Sequence, residues 1–208
     1  MIIEVWSDVV CPWCFIAKRR LEKALAKLPA GIPIEVRHRA FQLQPDIQGV
    51  TRTSDYLASK YRVDVDQVAA MQANVCSVAD GEGLCYNLSD TLSGNTLDAH
   101  RLVLWAAEKG KQAELLEAMY SGYFEQSLPL FTHEDLLKVV EAARLPVDEA
   151  REVLDSDAYA SQVVEDQQVA ASLGANGVPF FVFDMKIGFS GAQPDEVFKQ
   201  AIAQALKG

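Results

Sequence analysis

The sequence predicts an α/β fold in which a β-α-β unit and a β-β-α unit are separated by an inserted all-helical domain. Three observations lead to this prediction. Strand-like segments lie near the two ends of the chain, at residues 2–6, 33–41 and 178–191. Between about 54 and 173 the apolar residues recur at helical spacing instead. An amphipathic helix over 194–206 follows the last strand-like segment.

The N-terminal residues predict a strand, a helix and a second strand. Residues 2–6 are mostly apolar. Residues 12–28 repeat apolar positions at helical spacing, and Pro29 and Gly31 end this helix. Residues 33–41 then alternate between two faces, as a strand does. This order is the first half of a thioredoxin-type unit.

The central residues predict a series of helices. Asn95 can cap a helix over 96–109, which Gly110 ends. Thr132 can cap another over 133–143. Four more helices are predicted at 65–79, 111–124, 148–155 and 157–173.

Strand character returns near the C-terminus. Residues 178–183 and 187–191 predict a hairpin with a turn at 184–186, and the last helix follows. The predicted domains are a thioredoxin-like domain formed by residues 1–50 and 174–208, and an inserted helical domain at 51–173.

The chemistry is indicated by Cys11-Pro12-Trp13-Cys14, between the first predicted strand and its helix. A thiolate is the attacking species in disulfide exchange, and a helix N-terminus stabilises a thiolate placed there. Cys14 follows one helical turn later, close enough to close a disulfide with Cys11. Pro12 fits the first helical turn, where its missing N–H would have no partner. The motif therefore predicts a redox pair.

Two alternatives to a redox pair stay open for this motif, namely half of a zinc site and cysteines without a functional role. Zinc usually takes four ligands. The remaining cysteines, Cys76 and Cys85, have eight residues between them, and the three histidines are scattered at 38, 100 and 133. We therefore predict no metal.

Val178-Pro179 stands directly before a predicted strand. Proline interrupts sheet pairing, so it belongs at a strand start. In thioredoxin-like folds a cis proline occupies this position and faces the C-x-x-C motif. The main chain of Val178 would then pair with an extended substrate as an added strand. The alternative is an ordinary strand-initiating proline.

Composition excludes several partners and cofactors. The net charge of −10 argues against nucleic acid. No apolar run approaches the ~20 residues that span a membrane, and no secretory n-region opens the chain, so we expect a cytoplasmic protein and no membrane partner. In a reducing compartment, paired cysteines are more often catalytic or redox-sensing than structural. No organic cofactor motif is visible, so no cofactor is predicted.

Four segments spread over nearly the whole chain resemble the DsbA family, and within it the FrnE-like branch. They are Ser7–Cys14, Phe41–Pro45, Asn95–Leu102 and Gly177–Gln193. The resemblance implies a thioredoxin domain interrupted by a helical domain, and thiol-disulfide oxidoreductase activity. It implies that Cys11 is the exposed nucleophile and Cys14 the buried resolving thiol. The implied partners are protein thiols and disulfides, or glutathione as a co-substrate.

Three residues near the motif have alternative interpretations, and a fourth, Asn95, has one. Trp13 is either a lid over the sulfurs that contacts apolar substrate, or a packing residue against the helical domain. Asp8 either helps proton transfer to Cys14, as buried carboxylates do in this fold class, or orders the strand-to-helix loop. His100 is either a catalyst or a buried histidine with its hydrogen bonds satisfied. Asn95 is most simply a helix cap.

Cys76 and Cys85 form a candidate second redox pair. Gly81 and Gly83 let the chain double back between them, so a disulfide is geometrically feasible. The alternative is that they are two small apolar residues that pack in the core.

The predicted function is disulfide oxidation or isomerisation by Cys11 and Cys14. Trp13 adds no charge, unlike the histidine of strongly oxidising DsbA proteins, so we expect a less oxidising couple. One alternative is a glutathione-dependent transferase or a 2-hydroxychromene-2-carboxylate isomerase-like enzyme; those relatives typically carry serine in place of Cys11. The second alternative is a non-enzymatic client-binding or redox-sensing protein.

Overall fold

The computed structural model describes residues 1–29 and 31–207. Ala30 and Gly208 belong to the predicted thioredoxin-like halves and lie outside the described residues. The strands are β1 (Ile2–Ser7), β2 (Glu35–Ala40), β3 (Thr51–Arg52), β4 (Leu92–Ser93), β5 (Phe180–Phe183) and β6 (Ile187–Ser190). The helices are α1 (Pro12–Leu25), α2 (Thr53–Tyr61), α3 (Val65–Gly81), α4 (Leu97–Glu108), α5 (Gln112–Gln126), α6 (His133–Ala142), α7 (Val147–Leu154), α8 (Ala160–Ser172) and α9 (Asp195–Ala205).

The predicted α/β fold is confirmed. A four-stranded sheet has the order β2-β1-β5-β6, with β1 parallel to β2 and antiparallel to β5. The strands β5 and β6 form the expected hairpin. Helices occupy most of the chain between β2 and β5, and a two-residue antiparallel ladder of β3 and β4 is added to them. The predicted domain boundaries remain a prediction.

Several predicted helix boundaries differ from the structure. The helix predicted over 12–28 ends at Leu25, and the one predicted over 157–173 begins at Ala160. Tyr159, directly before that start, has a positive φ of 65°. The chain therefore leaves helical geometry there, although the apolar periodicity continues through this residue.

Helix α1 contributes to two apolar clusters, and this places the cysteine motif. Ala17 and Leu21 pack with sheet residues and with Phe198 of α9. The first turn of α1, including Phe15, belongs to a second cluster. Most of this cluster comes from the chain between β2 and β5, which we call the helical segment. The motif therefore lies where the sheet and the helical segment meet.

A buried histidine on β2 makes the stability depend on pH. His38 is 7% exposed, and its Nδ1 has no hydrogen-bond partner among the described residues. Burial, helped by the charge of Lys18, lowers the pKa of His38 to about 4. An unfolded chain binds this proton near the usual histidine pKa of about 6.5. The stability that neutral His38 contributes is therefore complete above about pH 6.5 and lost as the pH falls towards 4.

We expect this loss to approach about 3 kcal/mol at pH 4. The measurement is urea unfolding at pH 7 and at pH 4.5 for the wild type and for His38→Met, which cannot titrate. Carboxylates contribute equally to both proteins, so the difference between the two pH profiles isolates His38. Parallel profiles would show that His38 carries no such linkage.

Candidate active site

The backbone holds the cysteine motif at the start of α1. Cys11 is the N-cap residue, with extended φ and ψ of −91° and 111°, and Pro12 takes the first helical position. The Cys11 N–H donates to the Asp8 carbonyl at 3.1 Å, and the Cys14 N–H donates to the Cys11 carbonyl at 3.0 Å. This tight turn brings the two cysteines close together at the positive end of a helix.

The two thiols differ in their surroundings. Cys11 lines a surface groove, and its thiol donates to the Val178 carbonyl at 3.6 Å. Burial raises the pKa of Cys14 well above the ordinary thiol value; the neighbouring Cys11 also raises it, and the Asp8 main chain lowers it. The expectation that Cys11 is exposed needs correction, because its exposed fraction is 4% against 3% for Cys14. The loop at Val178 and the groove wall cover most of Cys11.

The loop before β5 faces the motif. The Val178–Pro179 peptide bond is cis. The Pro179 carbonyl accepts the Gly191 N–H at 2.7 Å, which ties the loop to the end of β6. Val178 lines the same groove as Cys11. The loop therefore presents main-chain groups beside the Cys11 sulfur.

The groove beside Cys11 encloses about 270 Å³ and runs towards α2 and α3. Trp13 lines it and also packs against the apolar cluster of the helical segment, so both interpretations of this side chain agree with its place. Lys60 is the one lysine or arginine in the wall, and no Asp or Glu lines it among the described residues. Its ammonium lies 5.4 Å from the ring centre of Tyr56 and 5.8 Å from that of Tyr61.

Asp8 joins three elements beneath the motif. Its exposed fraction is 1%. One carboxylate oxygen accepts the Leu43 N–H at 2.7 Å, and the second lies 3.3 Å from Nε2 of His100 on α4. His100 thus has the partner that a buried histidine needs. These contacts favour the ordering interpretation of Asp8, and a role in proton transfer stays a prediction.

Asn95 lies one position too early to be the cap of α4. Thr96 is the N-cap residue. The Asn95 side chain accepts the Leu97 N–H at 2.8 Å and the Gln42 amide N–H at 2.9 Å, and it donates to the Pro45 carbonyl at 2.8 Å. Its side chain therefore ties the segment after β2 to the start of α4. The predicted cap position is wrong by one residue, since Thr96 is the N-cap residue, but the Asn95 side chain does accept the first helical N–H.

Cys76 and Cys85 are free thiols in the structure, as are Cys11 and Cys14. Cys85 is exposed. The Cys76 thiol donates to the Tyr86 carbonyl at 3.9 Å, and burial raises the pKa of Cys76. Their role as a second redox pair stays a prediction.

Two tyrosines of the helical segment reach the motif and were not predicted from the sequence. The Tyr86 hydroxyl donates to the Pro12 carbonyl at 2.7 Å. Tyr120 is fully buried and stacks on Phe15 with ring centres 5.0 Å apart. For Tyr86 a signal exists: Leu84, Tyr86 and Leu88 alternate with polar residues or cysteine, which is typical of an extended half-buried segment.

Within residues 1–29 and 31–207, the structure groups no three His, Cys, Asp or Glu side chains in a way that could hold a metal ion. In the same part of the chain, no helix combines the length and the apolar character needed to cross a membrane.

Known proteins resemble this chain in sequence and in fold. The family model of the DSBA-like thioredoxin domain matches residues 2–203. A probable DsbA oxidoreductase from Streptomyces coelicolor is 43% identical, with a TM-score of 0.95 over 100% of this chain and 90% of that chain.

Two further structures are similar in fold alone. The cytosolic disulfide reductase DsbM from Pseudomonas aeruginosa with GSH is 16% identical, with a TM-score of 0.67 over 100% of both chains. A 2-hydroxychromene-2-carboxylate isomerase is 17% identical, with a TM-score of 0.70 over 100% of this chain and 96% of that one.

The family match spans nearly the whole chain, and the S. coelicolor relative shares both its fold and much of its sequence. The chain therefore belongs to the DsbA-like thioredoxin-domain family of thiol-disulfide oxidoreductases.

Proposed function

We propose that Cys11-Pro12-Trp13-Cys14 exchanges disulfides with protein or small thiol substrates. The Cys11 thiolate attacks a substrate disulfide, forms a mixed disulfide and releases the first substrate thiolate. Cys14 then loses its proton and attacks the Cys11 sulfur. This step releases the second substrate thiolate and leaves Cys11 and Cys14 joined as a disulfide. The same steps in reverse oxidise a substrate dithiol.

The observation that carries this proposal is the different placement of the two thiols. Both residues are buried, but Cys11 caps the helix and lines the groove, whereas the raised pKa of Cys14 keeps its thiol protonated. A nucleophile must meet the substrate first, and a resolving thiol must wait for the mixed disulfide. The arrangement supports the first role for Cys11 and the second for Cys14.

The groove supports two kinds of substrate. The main chain of Val178 beside Cys11 suits an extended peptide that adds a strand, and Trp13 offers an apolar contact. Glutathione is the small substrate that we propose, since the ammonium of Lys60 can attract a carboxylate. The structure of DsbM with GSH adds support for this choice. We also propose a cytoplasmic location, as DsbM is named cytosolic.

The experiment is to equilibrate the protein with glutathione redox buffers and to count free thiols by mass spectrometry. Because Trp13 adds no positive charge near the sulfurs, we expect a reduction potential more negative than the about −120 mV of DsbA. Failure of Cys11 and Cys14 to form a disulfide at any buffer ratio would overturn the proposed function.

The second candidate is a glutathione-dependent transferase or isomerase. The fold likeness to 2-hydroxychromene-2-carboxylate isomerase favours it. Such an enzyme activates bound glutathione and needs no disulfide between Cys11 and Cys14. Full glutathione-dependent turnover of a small aromatic substrate by Cys11→Ser would support this candidate against disulfide exchange.

A further inference from the structure

Tyr86 connects the helical segment to the peptide unit between Pro12 and Trp13. Its hydroxyl donates to the Pro12 carbonyl at 2.7 Å, and the N–H of the same peptide unit belongs to Trp13. Pro12 has no N–H, and the Cys14 N–H donates to the Cys11 carbonyl at 3.0 Å. Of the N–H groups in the first turn of α1, the Trp13 N–H is therefore the one that remains free to donate to the side chain of the cap residue Cys11.

We propose that Tyr86 is a positioning residue that stabilises the Cys11 thiolate through the Pro12–Trp13 peptide. The proposal rests on the proposed function, because it concerns the same pair of cysteines. A hydrogen bond donated to a carbonyl polarises the amide, so the N–H of that amide becomes a stronger donor. Tyr86 thereby strengthens the Trp13 N–H as a donor to a negative charge at the cap.

This effect depends on the ionisation of Cys11. In the neutral state the Cys11 thiol donates its hydrogen to the Val178 carbonyl at 3.6 Å, and no side-chain cap bond forms at the start of α1. A thiolate has no hydrogen to donate and needs donors instead. The Trp13 N–H is the donor that Tyr86 has strengthened. The reduced protein with an ionised Cys11 is therefore the state that this hydrogen bond stabilises most.

The ring of Tyr86 is fixed independently of its hydroxyl. It stacks on Phe124 with ring centres 4.9 Å apart and on Phe15 at 6.1 Å. The next residue, Asn87, donates its N–H to the Phe124 carbonyl at 2.6 Å. Burial, with the nearby Cys11 and Cys14, raises the pKa of Tyr86 well above its ordinary value, so the hydroxyl keeps its proton as a donor. The hydroxyl can therefore be removed while the ring stays packed.

The test is Tyr86→Phe, measured by equilibration with glutathione redox buffers. Loss of the hydroxyl removes part of the stabilisation of the Cys11 thiolate in the reduced protein. The redox equilibrium therefore moves towards the Cys11–Cys14 disulfide. Cooperative strengthening of one hydrogen bond is modest, and we expect a change of about threefold, or about 14 mV towards a more negative potential. The pH at which iodoacetamide alkylates Cys11 at half its maximal rate should rise as well.

Tyr159→Phe is the matched control, because it removes the same hydroxyl from a half-buried tyrosine directly before α8, outside the cysteine motif. We expect this variant to keep the wild-type potential and alkylation profile. The reduction potentials are measured at 10 °C and at 25 °C, where we expect both variants to be folded. A change in potential is then separate from a change in stability. If Tyr86→Phe changes the unfolding midpoint alone, Tyr86 has only a structural role and the proposal is overturned. If the wild type itself forms no Cys11–Cys14 disulfide, the proposed function fails instead.

Discussion

Replacing Cys11 with serine is expected to lower the rate of disulfide exchange by about 1000-fold or more. The serine hydroxyl stays protonated at neutral pH and cannot form a disulfide, so the first step has no nucleophile. Cys14 cannot substitute for it, because Cys11 and not Cys14 lines the groove and because the pKa of Cys14 is raised. The measurement is kcat/KM for reduction of glutathione disulfide and of an oxidised peptide, at fixed pH and over a range of substrate concentrations.

Cys14→Ser provides the complementary result. Cys11 can still attack, but nothing resolves the intermediate, so a mixed disulfide with the substrate should accumulate and be visible as added mass.

The double variant Cys76→Ser/Cys85→Ser tests the second redox pair: loss of turnover would indicate a relay through those thiols. Rapid exchange by Cys11→Ser itself would contradict the roles assigned to the motif.

Replacing Asp8 with alanine is expected to lower the free energy of unfolding by roughly 3–5 kcal/mol. The carboxylate is buried, and it is the partner of both the Leu43 N–H and the His100 ring. Alanine leaves the buried His100 ring and the partly buried Leu43 N–H without this partner, and such groups destabilise a fold more than the lost hydrogen bonds alone. Urea unfolding at pH 7 measures the change.

Asp8→Asn is the matched control for this effect. Its amide oxygen can still accept the Leu43 N–H, so we expect a smaller loss of about 1–2 kcal/mol. If both variants unfold with the same midpoint as the wild type, the contacts of Asp8 do not order this loop. A stable Asp8→Asn with slow resolution of the mixed disulfide would instead point to proton transfer to Cys14.

Local patterns account for much of the fold prediction. Alternation predicted β2, the C-terminal run predicted β5, and helical spacing predicted α4 and α9. The boundaries near Leu25 and Tyr159 were less well predicted, because apolar periodicity continues beyond the residue where the backbone leaves the helix. The two-residue strands β3 and β4 are too short to produce a period.

Part of the candidate site was predictable from the sequence, and part was not. The cysteine motif is visible because its four residues are adjacent, and Pro179 because it directly precedes a strand. The contacts of Asp8 with His100 and of Tyr86 with Pro12 join residues that are far apart in the chain. No local pattern encodes such contacts, since they depend on how the helical segment packs on α1.

The α/β class, the order of the main elements and the cysteine pair were predictable from the sequence, because they depend on spacing along the chain. Only the folded chain shows that Cys11 is covered rather than exposed, that Asn95 joins the segment after β2 to the start of α4, and that Tyr86 reaches the motif. Packing between distant segments sets burial and hydrogen-bond partners. The chemistry of the two thiols therefore depends on neighbours that only the folded chain brings together.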